Sequence, residues 1–96
     1  MSRYLLSPRA RADLDEIWNY TADRWDEEQA ENYLRSIEKA MATIAKSPQR
    51  GRSYDEVRVG YRRFRIGSHI LIYRLIEKQV HIVRILHVSM DVDRHL

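Results

Sequence analysis

The period of the hydrophobic pattern changes once along this chain. From Ala10 to Ala45 apolar residues recur every three or four positions, which is typical of helices that bury one face. From Val57 to His87 apolar and polar residues alternate or form short apolar runs, which is typical of strands. A brief apolar run, Tyr4 to Leu6, precedes the first helical stripe. With 96 residues and no repeat or linker, this order predicts a single α+β domain over residues 1–96.

Capping residues and prolines predict where the helices begin and end. Ser7-Pro8 supplies an N-cap serine followed by proline at the first helical position. Asp26 to Gln29 is typical of a second N-cap, with a box-like D-x-x-Q and two acidic residues in the first turn. Ser47-Pro48 ends the second helix. The tight junction at Asp26 therefore predicts an antiparallel hairpin of two helices.

The second half of the chain predicts an antiparallel meander. Apolar residues alternate with polar ones from Val57 to Tyr61, and the phase then reverses, which predicts a bulge near Arg62-Arg63. Turns at Gly67-Ser68 and at Glu77 to Gln79 separate the following strands. The predicted order is β-α-α-β-β-β, with the helical hairpin packed on one face of an antiparallel sheet and a short C-terminal tail.

The charge is placed unevenly. Residues 51–96 carry nine Lys/Arg against five Asp/Glu, whereas residues 1–50 carry eight against nine. Fourteen of the 17 basic residues are arginines, whose planar forks suit carboxylate or phosphate, so we expect an acidic partner. There is no cysteine and no run of about 20 apolar residues, which predicts a cytoplasmic protein without disulfides or a membrane span.

Aromatic residues are interleaved with arginines along the predicted strands. The arginines concerned are Arg58, Arg62, Arg63, Arg65, Arg74 and Arg84. On a sheet face left open by the helices, they would form a basic and aromatic platform for phosphates or an acidic peptide. The alternative is that they are edge-strand arginines, which keep the sheet soluble and pair with Asp or Glu.

The usual marks of an enzyme or a cofactor site are missing from the sequence. His87, Asp91 and His95 are spaced i, i+4 and i+8, so on one helix they would share a stripe, as metal ligands do. The predicted strand at His87 removes that common face, and no metal site is expected. The serines lie at caps, in turns or on a polar helix face, and the three glycines form neither a P-loop nor a dinucleotide fingerprint. No cofactor and no catalytic nucleophile are predicted.

Several segments in a fixed order carry a family resemblance. They are Leu6-Ser7-Pro8, Ile17-Trp18 with Trp25, the run from Gly60 to His69, and Arg84 to His87 with Met90-Asp91. Together they resemble ParE-type toxins of the RelE/ParE toxin-antitoxin superfamily, and the resemblance extends from Tyr4 to Leu96. It implies the same fold and a toxin that inhibits DNA gyrase by binding rather than as an enzyme. It also implies a ParD-like antitoxin whose acidic segment lies across the toxin. Operator DNA is then contacted only through that antitoxin.

Under this resemblance two surfaces are expected. The target-binding surface is the exposed tail: Met90, Asp91, Arg94, His95 and Leu96. The antitoxin-binding surface combines an apolar groove with basic strands: Trp18, Tyr33, Arg58, Arg63, Arg65 and Arg74. For Met90 and Leu96 the alternative is that they only close the open end of the sheet, and for Trp18 and Tyr33 that they are core residues.

Two rival functions use the same basic half. A RelE-like ribosome-dependent mRNA endonuclease needs phosphate-neutralising cations and a proton-transfer group. The residues available for these roles are Arg62, Arg65, Arg84 and His87. The tail, however, lacks the terminal tyrosine and the lysine-arginine cluster of the RNA-cleaving members, and Asp91 and Asp93 would repel a phosphate. The other rival is a non-toxic nucleic-acid-binding module. The toxin hypothesis is the one that the sequence favours.

Overall fold

A hairpin of two helices and a five-stranded sheet form the fold in the computed structural model, which describes residues 3–96. In chain order the elements are β1 (Tyr4–Leu6), α1 (Pro8–Arg24), α2 (Glu27–Lys46), a 3-10 turn (Pro48–Arg50), β2 (Arg52–Ser53), β3 (Tyr61–Ile66), β4 (His69–Ile76), β5 (Gln79–His87) and α3 (Val92–His95). In the part of the chain that the structure describes, no helix combines the length and the apolar character that crossing a membrane requires.

Side-chain caps set the helix boundaries, as predicted. The Ser7 hydroxyl accepts a hydrogen bond from the Ala10 N–H at 2.9 Å and donates one to the Val83 carbonyl at 2.7 Å. Ser7 thus ends β1, starts α1 and fixes both to β5. The Asp26 carboxylate accepts from the Gln29 N–H at 2.7 Å and starts α2. These contacts satisfy N–H groups that the first turn of a helix leaves without partners.

The sheet has the strand order β1-β5-β4-β3-β2. β3, β4 and β5 form the predicted antiparallel meander. β1 lies beside β5 and runs parallel to it, so the sheet is mixed. Two parallel strands need a long crossover connection between them. Here the connection from β1 to β5 begins with the helical hairpin. The predicted α+β class and element order are confirmed, but the sheet is mixed and not antiparallel throughout, because β1 is parallel to β5, and β2 and α3 are additional elements.

The predicted strand from Val57 is wrong. Residues 55–60 form turns, in which the Gly60 N–H donates to the Asp55 carboxylate at 2.8 Å and Gly60 has a φ of +86°. Val57 packs inward while Val59 is 84% exposed, so a turn gives the same alternation as a strand. The predicted bulge at Arg62-Arg63 is also wrong, because the register shift lies between Ile72 and Tyr73 of β4.

The main core lies between the helical hairpin and the sheet. Its buried side chains come from one stripe on each helix and from alternate positions of β4 and β5: Ala10, Ile17, Ile37, Ala40, Met41, Ile44, Leu71, Tyr73, Val80, Ile82 and Ile85. The helical stripes predicted from the sequence are therefore the buried faces, and removing this apolar surface from water is the main force that holds the hairpin on the sheet.

A second, smaller core covers the opposite face of the sheet. It consists of Tyr54, Tyr61, Ile70, Ile72, Leu86 and Val92, with Leu96 partly buried against it. The loop that follows β2 and the C-terminal segment supply its cover. The predicted open platform on this face is therefore wrong, because apolar side chains occupy its middle and the arginines stand around its rim.

The C-terminal segment closes this second core. Asp91 caps the short helix α3 by accepting from the Asp93 N–H at 3.2 Å, and Val92 is buried. Arg84 donates to the His95 carbonyl at 2.5 Å, which ties α3 to β5. The segment predicted as an exposed tail is folded onto the domain for part of its length.

Candidate functional site

Asp13 is the one buried charged residue among residues 3–96. Its carboxylate accepts from the Arg84 guanidinium at 2.8 and 2.9 Å and from the Ile85 N–H at 2.9 Å. β1 pairs with β5 only as far as Ile82, so it offers no acceptor to the Ile85 N–H. The Asp13 carboxylate accepts that hydrogen bond in place of a neighbouring strand. The hydrogen bonds that Arg84 donates to the Asp13 carboxylate raise the pKa of Arg84. Arg84 is thus a structural cation that joins α1, β5 and α3.

The nuclease set is not brought together as an active site. Arg84 is held by Asp13, and Arg62 donates to the Gly51 carbonyl at 2.5 Å. Arg65 Nε donates to the Gly67 carbonyl at 3.0 Å, so all three proposed cations make internal contacts. His87 has its Nδ1 within 2.7 Å of the Ser89 hydroxyl, and its ring meets the ring of His69 rather than a free cation.

A cluster of tyrosine and histidine side chains joins α2 to the sheet. The Tyr33 hydroxyl lies 2.7 Å from His69 Nδ1 and accepts from the Ser68 N–H at 3.0 Å. The His69 ring meets the His87 ring edge-on at 5.3 Å. Burial lowers the pKa of His69, and the neighbouring His87 lowers it further, against an opposing effect of Asp13. The sequence indicated His87 as a proton-transfer candidate and His69 only as one of the rings interleaved with the strand arginines, because the strand register alone places the two histidines opposite each other.

A groove runs between α1, the end of β5 and the tail. It consists of two adjoining clefts of 630 and 290 Å³ that share Tyr20, His69 and His87. Tyr20, Trp25 and Met90 line it with exposed fractions of 64%, 66% and 44%. We call it the helix–tail groove. Large exposed apolar side chains around a concave surface are typical of a partner-binding site.

A second concave surface is strongly basic. This arginine cleft, of 490 Å³, is lined by Arg50, Arg52, Arg63 and Arg65, with Phe64, Ile70 and Val88 between them. The Arg63 guanidinium lies 4.9 Å from the centre of the Tyr54 ring, and Arg65 Nε donates to the Gly67 carbonyl at 3.0 Å. Sequence reasoning missed Arg50 and Arg52, because they lie in a turn and a two-residue strand that carry no periodic signal.

The predicted target-binding residues share the tail but differ in exposure. Met90, Asp91 and Arg94 are exposed, whereas His95 and Leu96 are half-buried. Arg94 and Asp91 form a loose ion pair of 3.6 Å at the surface. His87, Asp91 and His95 lie on a strand, at a helix cap and in a helix respectively. Within residues 3–96, no group of three or more His, Cys, Asp or Glu side chains is arranged to hold a metal ion.

The predicted antitoxin-binding residues are divided among three places. Arg63 and Arg65 line the arginine cleft. Arg58 and Arg74 lie over the Tyr61 ring, 5.8 and 5.6 Å from its centre. The remaining two belong to the helical hairpin: half-buried Trp18 on α1 and, on α2, Tyr33, which packs on the main core and also lines the helix–tail groove.

The structure is thus that of a small basic α+β domain whose surface carries an aromatic groove and an arginine-lined cleft. The family model described as the ParE toxin of the type II toxin-antitoxin system parDE matches residues 4–92. The chain belongs to the ParE toxin family.

Relatives align with nearly the whole chain. "Toxin ParE1" of Mycobacterium tuberculosis (strain CDC 1551 / Oshkosh) is 53% identical over 96 residues, which cover 99% of this chain and 98% of the relative. "Toxin ParE1" of Caulobacter vibrioides (strain ATCC 19089 / CIP 103742 / CB 15) is 45% identical, with 100% and 99% covered. The solved structure "Chromosomal ParDE TA system from P. aeruginosa" has a TM-score of 0.79 at 21% identity and covers 93% of this chain and 98% of its own. This neighbour confirms the fold.

Proposed function

We propose that this protein is the toxin of a ParDE-type pair, which inhibits DNA gyrase by binding, and that a ParD-like antitoxin neutralises it in the cytoplasm. The observation that carries the proposal is membership of the ParE toxin family over residues 4–92. The structure adds that the cations of the rival nuclease are engaged by Asp13 and by backbone carbonyls. A toxin that acts by binding, and not as an enzyme, fits this arrangement.

We assign target binding to the exposed part of the tail. Met90, Asp91 and Arg94 point to solvent, whereas Val92 is buried in the second core. His95 and Leu96 complete the predicted set and contribute partly through packing. Met90 lies at the rim of the helix–tail groove, so that a target docked there also meets Tyr20 of α1.

We assign antitoxin binding to the arginines around the second core together with the helical hairpin. Arg58, Arg63, Arg65 and Arg74 would pair with an acidic segment of the antitoxin. Three of them lie over tyrosine rings, which holds their guanidinium groups in place before binding. Trp18 and Tyr33 would meet the apolar side of the same partner.

The test is a gyrase supercoiling and DNA-cleavage assay with the purified chain, run beside an in vitro translation assay. Accumulated cleaved DNA with normal translation supports the proposal. Halted translation with cut mRNA would support the RelE-like rival instead. Adding a ParD-like antitoxin should restore supercoiling, and single substitutions of the four arginines should weaken that rescue with a strong dependence on salt.

Exposed substitutions separate docking from fold closure in the tail. We expect Met90→Ala and Arg94→Gln to reduce gyrase inhibition without lowering thermal stability, since both side chains are exposed. Val92→Ala is the matched control, because it removes packing from the second core. If the two exposed variants inhibit gyrase as well as the wild type does, the tail is not the docking surface.

A further inference from the structure

His87 holds the start of the tail through its imidazole ring. Its Nδ1 accepts a hydrogen bond from the Ser89 N–H at 3.1 Å and lies 2.7 Å from the Ser89 hydroxyl. The Met90 N–H donates to the His87 carbonyl at 2.9 Å, so one residue fixes the turn after β5 through two hydrogen bonds. A backbone N–H can only donate. His87 Nδ1 is therefore unprotonated, and the neutral ring carries its proton on Nε2.

His69 uses the same ring nitrogen as an acceptor. Its Nδ1 lies 2.7 Å from the Tyr33 hydroxyl, whose oxygen accepts from the Ser68 N–H at 3.0 Å. The Tyr33 hydroxyl also faces the Ile66 carbonyl, but at 3.4 Å, which is long for an O–H···O hydrogen bond. The Tyr33 proton is therefore donated to His69 Nδ1 across the short contact. The neutral ring thus joins α2 to β4 as an acceptor.

A proton taken up by either ring must go to Nδ1, because Nε2 already carries one. On His87 the new N–H would face the Ser89 N–H, so that hydrogen bond would be lost. On His69 it would turn the Tyr33 hydroxyl toward the distant Ile66 carbonyl. The two rings meet edge-on at 5.3 Å, so the charge of a first proton opposes uptake of a second. The pair therefore has one hydrogen-bonded arrangement when neutral and another after proton uptake.

Titratable and charged groups from four elements surround the pair in the helix–tail groove. Asp13 of α1 and Arg84 of β5 form the buried ion pair described above. Burial and His87 lower the pKa of His69 and outweigh the opposing effect of Asp13, so His69 is neutral at pH 7. The other groups that line the two clefts are Glu16, Tyr20 and Arg24 of α1, Tyr33 of α2 and His95 of α3.

We propose that His69 and His87 form a pH-sensitive switch that holds the first residues of the tail and releases them on proton uptake. In the neutral state both Nδ1 atoms accept, and Ser89 is held at the end of β5. In the protonated state the Ser89 N–H loses its acceptor, and the segment that leads to Met90 becomes mobile. Target binding by the tail, a consequence that rests on the proposed function, would then weaken as the pH falls, because the docking residues lose their fixed position.

The test is NMR spectroscopy of the isotope-labelled full-length chain between pH 8 and pH 5. Side-chain nitrogen spectra at pH 8 should show an unprotonated Nδ1 in both rings. The protection factor of the Ser89 amide against hydrogen exchange should fall about threefold to tenfold over this pH range, which corresponds to one hydrogen bond. The Leu71 amide, in the middle of the sheet, is the reference for global unfolding.

Substitutions of histidines separate the switch from other effects of pH. His87→Asn places an amide oxygen near the position of Nδ1, which accepts from the Ser89 N–H but takes up no proton, so the protection of Ser89 should not change with pH. His87→Ala removes the acceptor and should show the released state already at pH 8. His81→Asn changes a histidine at the other end of β5 and is the matched control, with the pH response of the wild type.

Two results would overturn the switch: a proton on His87 Nδ1 at pH 8, or a pH response of Ser89 in His87→Asn equal to that of the wild type. The consequence for target binding is read from the ratio of gyrase inhibition at pH 8 to that at pH 6, taken within each variant. Equal ratios in the wild type and His87→Asn would contradict it. Because the NMR measurement involves no gyrase, failure of the switch is distinguishable from failure of the proposed function.

Discussion

Substituting Asp13 by alanine tests the account of how the helices, the sheet and the tail are joined. The Asp13 and Arg84 side chains are only 8% and 15% exposed, and the carboxylate accepts three hydrogen bonds. Asp13→Ala leaves the Arg84 charge largely buried without its partner and leaves the Ile85 N–H without an acceptor. Breaking a buried pair from one side costs about 3–5 kcal/mol. For a domain of this size each kcal/mol corresponds to roughly 4–8 °C in Tm, so we expect a drop of at least about 12 °C.

Urea unfolding followed by tryptophan fluorescence measures this free energy. Arg84→Met in the Asp13→Ala background should recover part of the loss, because it removes the uncompensated charge, and a double-mutant cycle gives the coupling directly. Glu31→Ala breaks the exposed pair Glu31–Arg35 on α2 and is the matched control, with an expected cost within about 0.5 kcal/mol. A cost below about 1 kcal/mol for Asp13→Ala would show that the pair behaves like a surface ion pair and would refute the reasoning.

Three further predictions concern packing and pH. In Gly51→Ala the added Cβ would lie 2.0 Å from the Tyr73 hydroxyl, so the loop before β2 must move. We expect a loss of about 1–3 kcal/mol in urea unfolding, and an unchanged midpoint would contradict the close contact between Gly51 and Tyr73. Burial and His87 lower the pKa of His69, so the folded state binds its proton more weakly than the unfolded chain. The contribution of neutral His69 to stability is therefore present above about pH 6.5 and lost as the pH falls below it. Unfolding free energies at pH 7, 6 and 5 should fall less in His69→Gln than in the wild type, and equal slopes would argue against this assignment. Val92→Ala should cost about 1.5 kcal/mol, estimated from roughly 0.8 kcal/mol per buried methylene, and a stability equal to that of the wild type would show that α3 does not close the second core.

Local signals predicted most of the fold. The Ser7 cap, the Asp26 cap and the stop at Ser47-Pro48 are correct because each depends on neighbouring residues alone. The predicted helical stripes are correct because a hydrophobic repeat of 3.6 residues commonly arises only from a helix that buries one face. The alternation from Val57 to Tyr61 gave a wrong strand, because a turn that buries one valine and exposes another has the same period as a strand.

The candidate surfaces were harder to predict, because they depend on which strands pair and in what register. The bulge between Ile72 and Tyr73 shifts β5 by one position against β4. Without it, Leu86 would oppose His69, and His87 would not join the cluster with Tyr33. No residue at the bulge indicates it in the sequence. The arginine cleft likewise depends on Arg52 pairing with Arg63, a contact made by a strand of only two residues.

The sequence by itself determined the helical hairpin, the three long strands and the basic character of the second half, since periodicity, caps and charge are properties of contiguous residues. Only the tertiary structure decided which charges remain free. It buries Asp13 against Arg84, directs Arg62 to backbone carbonyls, and leaves the arginines of the cleft without a counter-charge. The physical reason is that desolvation and pairing act between residues distant in the chain, and the register of the sheet sets which of them meet.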